Sequence, residues 1–128
     1  MSGSTYIVAQ PVRLDTFRAG EIDERAIDFS PDLTPYGDFL ESIISIEVIS
    51  RDDGHNLSPA DLHIITDDPD RPMTIGPAGY IIGWWQTSTD SIASNGITVD
   101  YVLTVRALTQ AGRTIMCDAM QLLVPLRG

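Results

Sequence analysis

Three kinds of side chain in this 128-residue chain could do chemistry: carboxylates in two tight loops, two imidazoles and a single thiol. Asp67, Asp68 and Asp70 stand together, as do Asp52 and Asp53, and clustered carboxylates are what calcium uses. Calcium needs about six to eight oxygens converging on one point. The spacing Asp-Asp-Pro-Asp-Arg neither matches an EF-hand loop nor supplies its closing Glu, so solvated turn residues are expected there. His55 falls in a loop and His63 in a strand, and no second His or Cys stands at zinc-ligand spacing from either. Cys117 has no partner for an intrachain disulfide or a thiolate metal site, and its apolar run predicts a small buried hydrophobe. Serines, histidines and carboxylates exist as they do in most proteins, but no Gly-x-Ser-x-Gly elbow surrounds any of them. Eighteen carboxylates without a motif nominate no glycosidase pair. Gly76-Pro77-Ala78-Gly79 lacks the lysine and following helix of a phosphate loop and reads as a turn. Asn56-Leu57-Ser58 fits a glycosylation acceptor by chance match only. The expectation is a protein without catalytic residues, metal or cofactor.

Charge points the same way. Eight basic against eighteen acidic residues leave a formal charge of -10. Such a surface repels phosphate backbones, whose binding rests on counterion release by Lys and Arg, so no nucleic-acid partner is expected. The acidity serves solubility or a basic partner surface. The opening Met1-Ser2-Gly3-Ser4-Thr5 has no basic region leading into an apolar run, so no secretion signal is expected. Apolar runs are far shorter than a membrane span. The reading is of a soluble protein made in a reducing cytoplasm, with no membrane partner.

The elements that must carry these residues are strands. Val99-Asp100-Tyr101-Val102-Leu103-Thr104-Val105-Arg106-Ala107 alternates apolar and polar, and a second apolar run covers 115–126. Together they predict a long closing hairpin. Its loop, 110–112, suits three residues with Gly112 in the left-handed position of a G1 bulge. Val99, Tyr101, Leu103, Val105 and Ala107 should line one face, completed by Met120, Leu122, Val124 and Leu126. Earlier strands are expected at 43–50, with Ile44, Ile46 and Val48 inward, at 62–66, at 73–75 as a short edge, and at 80–85. In the last of these Trp84 and Trp85 point to opposite faces, one into the core and the other toward solvent or a partner. Pro31, Pro35 and Gly37 mark a turn-rich stretch, and 87–96 a polar loop.

Six or seven short strands separated by turn signals predict an all-β fold, a two-sheet antiparallel immunoglobulin-like sandwich. The Cys…Trp…Cys arrangement of antibody domains is absent. Residues 26–128 are assigned to the sandwich and residues 1–25 to an extended N-terminal arm dotted with apolar anchors. That arm either packs along its own domain or reaches a neighbour. Its Tyr6, Ile7, Val8, Leu14 and Phe17, with Trp84 and Trp85, are the expected partner-binding residues, since an extended arm can add a strand or fill a groove and aromatics dominate hot spots.

Three pieces carry a resemblance. Ile27-Asp28-Phe29-Ser30-Pro31-Asp32-Leu33 opens the first. Trp84-Trp85-Gln86-Thr87-Ser88 ends a strand. Tyr101-Val102-Leu103-Thr104-Val105 followed by Thr109-Gln110-Ala111-Gly112-Arg113-Thr114 closes the third. Over roughly residues 25–124 the chain resembles small tailed-bacteriophage virion proteins, the fiber–tail adaptors or head–tail structural proteins. It departs from them where Gln86-Thr87-Ser88-Thr89-Asp90 replaces a Gly-Gly turn, and where residues 51–79 are longer than the family pattern. The resemblance implies a non-enzymatic virion protein made in the host bacterial cytoplasm, attaching a fiber or spike to the tail or neck. Its implied partners are other virion proteins (tail or neck, portal or adaptor, fiber or capsid), met by several copies around a symmetric axis. The alternatives are a capsid decoration protein and, in another class, a carbohydrate-binding module using Tyr80 with Trp84 or Trp85.

Overall fold

Alternation in β-branched and aromatic runs produces ten strands in the computed structural model, which describes residues 6–52, 62–88 and 98–125. The first half contains β1 (Tyr6–Val8), β2 (Val12–Arg13), β3 (Phe17–Arg18), β4 (Ile22–Asp28), α1 (Ser30–Leu33), a 3-10 turn (Thr34–Tyr36) and β5 (Leu40–Arg51). The second half contains β6 (His63–Ile64), β7 (Thr74–Ile75), β8 (Ile81–Thr87), β9 (Val99–Thr109) and β10 (Thr114–Val124). They form two sheets. The six-stranded sheet runs β1-β10-β9-β5, with β2 and β3 also beside β10; in the other, β4 and β6 flank β8, and β7 also pairs with β8.

The closing hairpin is the expected one. β9 and β10 pair antiparallel, Gly112 takes φ 85 in the loop, and Thr109 exchanges a bond with Arg113 across it (2.8 Å). Val99, Tyr101, Leu103, Val105 and Ala107 are buried as predicted. The opposite strand has the other phase. Ile115, Cys117, Ala119, Gln121 and Leu123 face the core, whereas Met120, Leu122 and Val124 are only half-buried on the outer side. A one-residue error of phase moves a whole strand's side chains to the other face. Leu126 lies outside the described residues.

In β5, twelve residues face nine of β9, and the register steps between Leu40 and Ser42, Ile43 and Ser45, and Val48 and Ser50. Glu41, Ile44 and Ile49 are therefore bulge residues. Ile46 is buried and Val48 half-buried as expected, but Ile44 is exposed rather than inward, because the bulge turns it out. β6, β7 and β8 fall where strands were expected, and Trp84 is buried while Trp85 is half-buried on the outer face.

The N-terminal segment takes the first of its two expected courses and packs along its own domain. Ile7, Val12 and Phe17, five apart, stand beside Ile115, Ala119 and Leu123, four apart, all in parallel. One extra residue is absorbed at each interruption. Ala9, Leu14 and Ala19 continue the ladder by donating to Met116, Met120 and Val124 carbonyls at 2.8, 2.8 and 2.9 Å. Ile7, Ala9, Phe17 and Ala19 are buried, so this stretch is an edge of the sheet. The six-stranded sheet is thus mixed, not purely antiparallel. The expected boundary after residue 25 falls inside β4, which is a regular strand beside β8. Arg25 points inward there, its guanidinium over Phe17 (5.4 Å) and bonded to Thr16 O and Asp23, and it closes the seam between the sheets.

A polar bridge also crosses the interior. Trp84 Nε1 donates to Gln86 Oε1 (3.0 Å), and Gln86 Nε2 donates to Gln121 Oε1, with both glutamines fully buried. The Gln86–Gln121 bond links the two sheets, and Gln121 Nε2 has no partner of its own.

Phe17→Ala should cost about 3–5 kcal/mol, because it empties a fully buried ring site at the sheet edge. A urea titration reads this as a lower midpoint with an unchanged slope, and an unchanged midpoint would show that the segment is not docked in solution.

Candidate functional site

One end of the sandwich is built around a buried carboxylate. The 3-10 turn stops at Gly37, whose φ of 61 is a backbone state that favours glycine, and the chain then delivers Asp38 to the interior with its side chain 2% exposed. Its oxygens accept from Phe39 N (2.8 Å), Ala111 N (3.1 Å) and the Arg113 guanidinium (2.9 Å). The Thr109 hydroxyl is a further partner. Thr109 Oγ1 in turn accepts from Arg113 N (3.0 Å), and Gln110 N donates to Phe39 O (2.8 Å). Burial works to raise the Asp38 pKa, but the bonds from Thr109, Phe39, Arg113 and Ala111 outweigh it and hold the carboxyl below its ordinary range. The clamp ties the 34–39 stretch to the hairpin loop.

What the clamp presents is aromatic. Arg113 lies over the Tyr36 ring at 4.9 Å, so one guanidinium serves both carboxylate and ring. Phe39 packs on Tyr80 with centroids 5.4 Å apart. A Cβ at Gly79, where φ is 82, would come within 3.2 Å of Phe39 Cβ, so glycine lets the two segments close up. Tyr36, Phe39 and Ile81 remain 51%, 39% and 45% exposed, and Tyr80 is half-buried. Rings held by a rigid backbone and left in water are the raw material of interface hot spots. The hydroxyl–carboxylate pair at this end, Thr109 with Asp38, is buried inside the clamp, so what meets solvent is the rings.

The residues expected to contact a partner are not gathered in one place. Ile7, Phe17 and Trp84 are core residues, buried against the opposite sheet, and Leu14 packs half-buried against that core, so these four do not form a free contact surface. Tyr6 and Val8 are exposed on the outer face of the six-stranded sheet. Trp85 belongs to the outer face of the other sheet, beneath the Arg71 guanidinium at 5.5 Å. Tyr80 precedes β8 and packs half-buried beside Phe39, whereas Trp85 lies on the outer face of β8. Sequence reasoning missed Tyr36, Phe39 and Asp38. The signal that could have found them was the Thr109-x-x-Gly112-Arg113 grouping, whose polar side chains have no role in a plain hairpin.

The other chemical candidates are structural. Asp68 accepts from Asp70 N (2.9 Å) and Arg71 (2.8 Å), which lower its pKa. Among the described residues no three His, Cys, Asp or Glu converge as metal ligands. Asp53, His55 and the 56–58 acceptor lie outside those residues. The 76–79 stretch is the expected turn, closed by Gly79 N to Gly76 O (2.9 Å). Burial, then the fields of Asp32 and Asp118, push the Cys117 thiol up to about 11.

The Asp38 contribution has a defined pH dependence. Its folded pKa lies below the unfolded value of about 3.9, so its stabilisation is complete above that pH and drains away as pH falls through the folded value. Melting temperatures of the native chain and of Asp38→Asn should therefore differ most near neutrality and converge on acidification; parallel curves would contradict the clamp. Cys117 should stay unlabelled by iodoacetamide in the native chain at mildly alkaline pH and react fully only in denaturant. No family model, curated protein or solved structure matches the chain.

Proposed function

We propose that this chain is a non-enzymatic structural protein of a tailed-bacteriophage virion, an immunoglobulin-like adaptor that attaches a fiber or spike to the tail or neck. The immunoglobulin assignment is supported by strand order. Lettering the strands from the N-terminal edge onward makes β5, β9 and β10 the C-F-G sheet, and β4, β8 and β6/β7 the B-E-D sheet. The first strand lies beside G rather than beside B, in parallel.

The observation that carries the virion reading is the role of Thr109, Gly112 and Arg113. These residues belong to the third of the pieces that carry the resemblance, and they hold the aromatic surface in place. An adaptor works by such recognition. The contact surface in this reading is the end carrying Tyr36, Phe39, Tyr80 and Ile81, and the N-terminal segment serves the fold instead. Copies arranged about a virion axis make a small interface effective through multivalency.

Quantitative mass spectrometry of purified particles from the source phage tests this. A copy number equal to the portal subunits, or a small multiple of it, is the expected result. Hundreds of copies would make the chain a capsid decoration protein, and absence from particles would end the virion reading. Phe39→Ala, checked for an unchanged fold by its spectrum, should reduce incorporation by about tenfold, the loss of one hot-spot contact.

A further inference from the structure

The basic residues of this chain are all arginines, at 13, 18, 25, 51, 71, 106, 113 and 127, and nearly all of those described are already engaged. Arg13 grips Asp100 with both terminal nitrogens (3.1 and 2.8 Å), Arg18 reaches Glu21 (3.7 Å), and Arg25 holds Asp23. Arg71 holds Asp68 and Arg113 holds Asp38. Four guanidiniums also lie over the chain's own rings: Arg25 on Phe17, Arg51 on Tyr101, Arg71 on Trp85 and Arg113 on Tyr36. The outward field is therefore set by carboxylates that have no cation beside them.

Two of those carboxylates border the aromatic end. Asp28 faces Ile81 across the β4–β8 ladder, and Glu41 is a β5 bulge residue two positions after Phe39. Neither has an arginine partner among the described residues. Exposed ring faces beside uncompensated carboxylates attract a guanidinium or ammonium twice over, through the ring quadrupole and through charge. A chain of charge -10 repels its own copies, phosphate and anionic lipid alike, whereas a basic segment is drawn to it.

We propose that the Tyr36–Phe39–Tyr80 surface docks an arginine- or lysine-bearing segment of a partner protein. The inference rests on the adaptor reading and names the chemistry of its partner. The Arg113–Tyr36 stack already shows one such ring accepting a guanidinium on its face, and an incoming cation meets Phe39, Tyr80 and the remaining Tyr36 surface in the same way.

The test titrates the isotope-labelled full chain with a short peptide alternating arginine and glycine, and with the same peptide carrying glutamine for arginine. Amide shifts and affinities are read by NMR. The arginine peptide should shift Tyr36, Phe39, Tyr80 and Ile81 saturably, and bind about tenfold more tightly than the glutamine peptide at low salt. Raising the salt should erase most of that difference. Tyr36→Ala and Phe39→Ala, each checked for an unchanged fold by its spectrum, should weaken binding, as should Asp28→Asn with Glu41→Gln. Trp85→Ala should not. Equal binding of the glutamine peptide would overturn the cationic partner while leaving the aromatic end as a docking surface. Shifts spread over the whole acidic surface, shifts centred on Trp85, or no saturable binding would overturn the proposal itself. None of these outcomes touches the particle copy number, on which the virion reading stands separately.

Discussion

Burying one carboxylate sets conditions that much of this fold exists to meet. A charge without partners inside a protein costs several kcal/mol, so Asp38 is tolerable only where several donors converge on it. Two backbone N–H groups, a hydroxyl and a guanidinium do so, and they come from positions 39 and 109–113. The hairpin loop with its left-handed glycine and the short helical stretch before β5 together bring those donors to it. That requirement also explains why a polar cluster sits at the end of two strongly apolar strands. The aromatic surface is a by-product of the same constraint, since the backbone that surrounds Asp38 is the backbone that carries Tyr36 and Phe39.

Legibility from sequence followed the local rules of strand chemistry. The β9–β10 hairpin could be read because β9 alternates cleanly and because Gly112 is a residue that a G1 bulge demands. The two tryptophans could be assigned to opposite faces by pleat alone. The phase of β10 could not be read, because both of its faces are apolar: Met116, Met120, Leu122 and Val124 outward, Ile115, Ala119 and Leu123 inward. The buried Gln121 biases the pattern further toward the wrong phase. Hydrophobicity separates faces only where one of them meets water.

Bulges account for most of the remainder. In β5 three extra residues break the two-residue period, so Ile44 and Ile46 cannot share a face although their spacing says they should. In the N-terminal segment the residues paired with β10 recur at intervals of five, an extended strand with one residue to spare per step, which resembles neither helix nor strand when read as a string. These irregularities have a physical use. Both edges of the six-stranded sheet are broken by bulges, and the β4 edge carries Asp23, Glu24, Arg25 and Asp28, so none offers a flat apolar template to another chain. The candidate surface was illegible for a different reason: Tyr80 is some forty residues from Tyr36 and Phe39, and Arg113 is farther still, so the cluster exists only through tertiary contacts.

The parallel pairing of residues 6–18 with β10 has a mechanical meaning. Tension applied between residue 6 and residue 125 pulls the two neighbouring strands along their length in opposite directions. Their cross-strand bonds, slanted in parallel pairs, are then strained side by side and must rupture as a group, whereas strands peeled from one end would yield bond by bond. The docked phenylalanine at position 17 and the two alanine steps resist the same slide, as a ratchet does. Force along the chain therefore meets its stiffest resistance at the seam where the chain's beginning lies against its end.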